Sequence, residues 1–158
     1  MTDCVSLREV SIWDGRITSL DVSKCPKLTL LDCSFCKLEK LNVSKNGELT
    51  KLEILGSKLT RIDIAKNTKL KYLGCQKNKL TKLNVSKNKK LETIDCSYNK
   101  FTKLSLANNP SLECLLCAGT RVKTLNLQKN KKLRFVASSK GTAVIGYRGI
   151  LEYWPARL

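Results

Sequence analysis

Eight cysteines are the residues best able to do chemistry in this 158-residue chain, and two pairs, Cys33–Cys36 and Cys114–Cys117, have the CxxC spacing. Two such pairs can supply four thiolates to a zinc ion, and one pair beside a helix N-terminus can act as a redox dithiol. The chain contains no histidine, which excludes imidazole acid–base catalysis and histidine metal ligation. It also lacks a nucleophile with a partner base, a phosphate-cradling glycine loop and carboxylates paired in a pocket. No catalytic residue, cofactor or metal is therefore expected, and the chain does not read as an enzyme.

What the cysteines can do depends on where the chain places them, and the spacing is informative. Cys33, Cys75, Cys96 and Cys117 fall at one position of a 21-residue unit, best seen from Leu83 to Lys103 as LNVSKNKKLETIDCSYNKFTK. With Leu83 as position 1, apolar residues recur at positions 1, 3, 9, 12, 14 and 19 and asparagines at 6 and 17; position 9 is leucine from Leu7 through Leu133. A strict period of this length means stacked units, each completing its neighbour's core. Position 14 is then an inward slot, held elsewhere by Ile12, Ile54 and Ser138. Cys33 and Cys117 would lie four turns apart, roughly 19 Å at the strand spacing, whereas zinc holds thiolates at about 2.3 Å. The cysteines therefore read as a buried ladder of small apolar side chains. Cys4, Cys25 and Cys36 take asparagine slots, and Cys114 faces outward as the one candidate reactive thiol.

Each unit divides into two halves of similar shape, and both are expected to contain a short strand closed by an asparagine that serves backbone groups freed at the bend. Seven strands, near Val10–Ile12, Leu31–Cys33, Leu52–Ile54, Leu73–Cys75, Ile94–Cys96, Leu115–Cys117 and Val136–Ser138, should form one parallel sheet. Pro26 and Pro110 both occupy position 7, which marks a bend outside the strands. The expected organisation is a solenoid over residues 1–143, about seven turns with the first incomplete, and a C-terminal capping segment over 144–158. The chain starts inside a repeat, which reads as part of a longer protein with core exposed at that end. Neither an apolar run of membrane-spanning length nor a secretory-type stretch in MTDCVSLREV is present, so no membrane insertion is expected.

LKYLGCQKNKL at 70–80 and LETIDCSYNKF at 91–101 resemble the leucine-rich repeat, L-x-x-L-x-L-x-x-N-x-L. The nested 21-residue form, with cysteine replacing a core leucine, is similar to the bacterial internalin J class. That resemblance covers about residues 4–143. It implies a right-handed, mainly β coil with a parallel sheet on its concave face and little or no helix. It also implies a recognition role, commonly in secreted or cell-surface bacterial proteins that bind proteins or glycans.

With the inward residues committed to the core, a partner can be read only in the outward slots, taken as positions 11, 13, 15 and 16 around the cysteine strand. These hold Trp13, Phe35, Tyr72, Tyr98 and Phe135, five of the nine aromatics, and Asp14, Asp32, Glu53, Asp95 and Lys77 beside them. With Glu9, Lys51 and Lys140 the face carries a formal charge of −2 on a chain of +17. Aromatics rimmed by mixed charge suit a protein partner. The positive charge is ordered into columns at positions 5, 18 and 21. The position-18 column, Lys37, Lys58, Lys79, Lys100 and Arg121, is the alternative site, matched to an acidic glycan, lipopolysaccharide or nucleic acid. A third possibility is a structural spacer in a longer surface protein. Oligomeric state and compartment are not legible.

Overall fold

The computed structural model describes residues 4–155. Ten strands and no helix are present among the described residues: β1 Glu9–Ser11, β2 Leu30–Asp32, β3 Lys51–Glu53, β4 Tyr72–Gly74, β5 Thr93–Asp95, β6 Cys114–Leu116, β7 Thr124–Asn126, β8 Phe135–Ser139, β9 Ala143–Ile145 and β10 Ile150–Trp154. One parallel sheet has the order β1-β2-β3-β4-β5-β6-β8-β10, and a small second sheet pairs β7 with β9. The register keeps the 21-residue step: Val10 faces Leu31, which faces Leu52, and so on through Leu73, Ile94, Leu115 and Val136. All seven expected strands are there. The last step shortens, with Ile150 opposite Phe135, so the tail contributes an eighth strand.

Physical chemistry at single positions builds each turn. Position 12 is fully buried from Leu31 to Val136, and the position-14 cysteines lie behind it. The hydrogen-bonded ladder outlasts the three-residue strand, because the position-14 N–H donates to the next turn, as from Cys96 to Leu116 O at 2.8 Å. Asp32 and Asp95 then bend the chain by accepting the N–H two residues on, from Ser34 and Ser97. The same Asx turn opens the other half at Asp21, Asn42, Asp63, Asn84 and Asn126.

The second half of the unit departs from expectation. Apart from β7–β9 and one bridge, Asp21 to Asn42, it forms no strand among the described residues. Its carbonyls are already taken. Val43 O accepts from Asn46 N in its own turn at 3.0 Å and from Asn67 Nδ2 of the next turn at 3.0 Å, leaving little for a strand ladder. The position-6 asparagines, Asn46, Asn67, Asn88, Asn109 and Asn130, are all buried, and each Nδ2 donates to two carbonyls of the preceding turn. They do not rescue orphaned carbonyls; they add a second bond to carbonyls the turn has already engaged, and their own Oδ1 atoms have no partner.

Candidate functional site

Position 16 sets the geometry of the sheet's outer face. Phe35, Lys77 and Tyr98 adopt the left-handed conformation, with φ of 57°, 54° and 56°, and Gly56 and Gly119 do so at the same slot. A side chain pays strain there. The return is continuity of the ladder, since Phe35 N donates to Leu55 O at 2.6 Å and Tyr98 N to Ala118 O at 2.7 Å. Each aromatic leans onto the next turn's glycine. A Cβ on Gly56 would lie 3.2 Å from the Phe35 ring, and one on Gly119 would lie 2.3 Å from the Tyr98 ring. Each aromatic in this slot is therefore followed one turn later by a glycine, a pattern the sequence contained but that only the geometry explains.

Trp13, Asp32, Phe35 and Glu53 come together around a depression of about 370 Å³, with Ser34 and Leu55 completing its wall. Trp13 is 71% exposed and Phe35 58%. Tyr72 continues this patch, its hydroxyl donating to Glu53 Oε1 at 3.4 Å. Lys51 closes the group, with Nζ 3.1 Å from Glu53 Oε2 and 5.1 Å from the Tyr72 ring centroid. Burial, reinforced by the Glu53 and Asp95 carboxylates, pushes the Tyr72 phenol up to about 12. Burial also raises Asp95, against the opposing pull of the Ser97 N–H, and Glu53 adds to the rise. Asp14 stands apart in an exposed pair with Arg16 at 2.9 Å, which holds its carboxyl below the usual range.

Tyr98 and Phe135 belong to the other end. The Tyr98 hydroxyl donates to Pro155 O at 3.4 Å, and Phe135 is flanked in register by Cys114 and Ile150. Lys77 is exposed between the two groups. Trp13, Asp32, Phe35, Glu53 and Tyr72 thus come together toward the N-terminal end of the sheet, whereas Tyr98 and Phe135 adjoin the C-terminal segment.

One slot was misread from sequence. Position 15 is not uniformly outward: Ser34, Ser97 and Ala118 are buried and Leu55, Gln76 and Ser139 half-buried. Trp13, in the same slot, is exposed, and Asp14 after it is not left-handed. Gln76 occupies the same position beside Tyr72, with a buried Oε1 that has no partner, and sequence reasoning passed over it. Only the preference for small polar residues at this slot could have flagged it.

The position-18 column is regular. Backbone N–H groups of Lys37, Lys58, Lys79, Lys100 and Arg121 donate to position-19 carbonyls one turn back at 2.7–3.1 Å, and all five side chains are exposed. Cys33, Cys75, Cys96 and Cys117 are buried and outside any disulfide, and among the described residues no three acidic or cysteine side chains converge as a metal site. Among those residues no helix is long and apolar enough to cross a membrane.

No protein-family model matches the sequence, and neither does any curated protein. Among solved structures the chain is similar to the functional domain of InlJ from Listeria monocytogenes, which includes a cysteine ladder: 32% identity and a TM-score of 0.83, over 87% of this chain and 31% of that one. It shares its fold with a leucine-rich-repeat protein of Leptospira interrogans, at 18% identity and a TM-score of 0.66, over 89% of this chain and 44% of that one. The chain thus spans less than half the length of either. Repeat, sheet and sulfur column together make it a leucine-rich-repeat solenoid of 21-residue units with a cysteine ladder, similar to that of InlJ.

Proposed function

We propose that the chain is a non-enzymatic recognition module that binds a protein partner through the aromatic face of its sheet, in a bacterial surface or secreted setting. The observation that carries this reading is the depression where exposed Trp13 and Phe35 meet Asp32 and Glu53, with Tyr72 alongside. Exposed aromatics around a hollow are the usual anchors of protein interfaces. The leucine-rich-repeat fold of the similar structures suits this role. A glycan could occupy the same face.

A second reading has its own support: five exposed cations in register along position 18 match a polyanion. Photo-crosslinking separates the two, with the reactive residue placed at Phe35 in one variant and at Lys79 in another. The face reading expects a protein adduct from the Phe35 site that survives moderate salt and is lost with Trp13→Ala, since truncating such an anchor costs about 2 kcal/mol or more. An adduct from the Lys79 site alone, lost as salt rises and absent after charge reversal at Lys58 and Lys100, would replace it with the polyanion reading. Retention on heparin should follow the same logic: elution at modest salt if the attraction is general, at high salt only if the column is a site.

A further inference from the structure

The loop joining β9 to β10 encloses a second feature, independent of the aromatic face. It forms one wall of a cleft of about 1220 Å³ against the last asparagine-bearing turn, about three times the volume of the hollows beside Lys82 and Lys103. Lys131, Arg134 and Arg148 line the cleft, and no acidic residue does. The loop reads Gly146-Tyr147-Arg148-Gly149, and both glycines are required by contact. A Cβ on Gly146, where φ is 74°, would lie 2.4 Å from the Gln128 side chain, and one on Gly149 would lie 2.7 Å from Arg134 O.

The loop is held at both ends. At one end Ile145 O accepts from Leu127 N at 2.8 Å; at the other Ile150 N donates to Arg134 O at 3.0 Å and Ile150 O accepts from Tyr147 Oη at 2.8 Å. Between those anchors the backbone N–H groups of residues 146–149 donate to no other described residue. Three cations, and a lining loop whose backbone N–H groups have no partner among the described residues, are the components of an oxyanion site. A single monoanion would leave two of the cations uncompensated. The half-buried Tyr147 ring and the Leu133 and Ile150 side chains add an apolar wall, and the volume exceeds that of a bare phosphate.

We infer that this cleft binds a compact polyanion: a sugar-sized molecule carrying two or more phosphate or sulfate groups. The test is calorimetric titration of the full chain with inorganic pyrophosphate and, separately, with a trisulfated heparin disaccharide. One-site saturable binding of either probe is expected, and which one binds distinguishes the phosphate source from the sulfate source. Arg134→Ala with Arg148→Ala should weaken binding about tenfold or more, whereas Lys45→Ala with Lys66→Ala and Lys87→Ala, exposed residues in neither the cleft nor the position-18 column, should change it by about twofold or less although more charge is removed. Amide resonances of Gly146 to Gly149 should shift on binding. Both arginines are exposed, so the double variant should melt with the parent; if it does not, Arg148→Gln alone serves in its place. Absence of saturable binding, equal losses in the two variants, or resonance shifts confined to other turns would overturn the assignment.

Discussion

Cys33 and Cys117 are thiols with no water to stabilise a thiolate, and burial pushes both up to about 12 from an ordinary 9.0. Cys75 and Cys96 are fully buried and raised for the same reason, with Asp95 adding to the rise for Cys75 and the neighbouring cysteines first for Cys96. Alkylation of the native protein near neutral pH should accordingly leave this column untouched, and denaturation should release all eight thiols. Cys114, half-buried and raised chiefly by burial, should react early but more slowly than an unhindered cysteine. Rapid labelling of the column in the folded state would contradict its burial. The sign for stability follows. Between about pH 9 and 12 the unfolded chain sheds thiol protons that the folded chain retains, so stability is full below that window and falls as pH rises through it. Chemical denaturation midpoints measured across that range should drop, and a Cys33→Ala, Cys117→Ala protein should show a shallower decline. The positions of these cysteines were legible because they share a slot with Ile12 and Ile54; the burial of Ser34, Ser97 and Ala118 was not, because it depends on how the backbone bends past the end of each strand.

The two asparagine positions look alike in sequence and differ in the work they do. Asn88 Nδ2 donates to Ile64 O and Asn67 O, but both carbonyls keep a backbone donor when the side chain is removed, from Asn67 N and Leu70 N. Asn99 also accepts, through Oδ1, the Leu80 N–H at 3.0 Å, which has no other acceptor among the described residues. Asn88→Leu should then cost about 1–3 kcal/mol, the sum of two ordinary bonds, whereas Asn99→Leu should cost more, because it also strands a buried donor. Urea melts of the two variants check the order, and equal or reversed losses would refute the distinction. The strands were readable from period and apolar spacing. The missing strands of the second half were not, since position 3 has the same apolar spacing whether its carbonyls bond to a strand or to an asparagine.

The whole molecule is a row of turns in which each contacts its neighbours, so stability is local and additive along the row. Leu7, at 37% exposure, occupies the slot where Leu28, Leu49, Leu70, Leu91 and Leu112 are fully buried, and Val10 and Ile12 are only partly covered. Hydrogen exchange should therefore be fastest in the turn around β1 and slowest across β3 to β5, with a graded rather than uniform profile. One common rate for all turns would show that the stack opens as a unit. The sequence of the tail suggests a cap, but its shortened 15-residue step to β10 is beyond the period's reach because the apolar spacing decays after Ser138.

The asparagine ladder also has a direction. Each position-6 amide reaches back, from Asn67 to Val43 and Asn46, from Asn88 to Ile64 and Asn67, from Asn109 to Val85 and Asn88. A chain emerging from a ribosome exposes its earlier turns first, so every asparagine arrives to find its two acceptors already made. Growth of the solenoid needs no partner yet to be synthesised at that clamp: each turn, as it appears, can be fastened to the one before it.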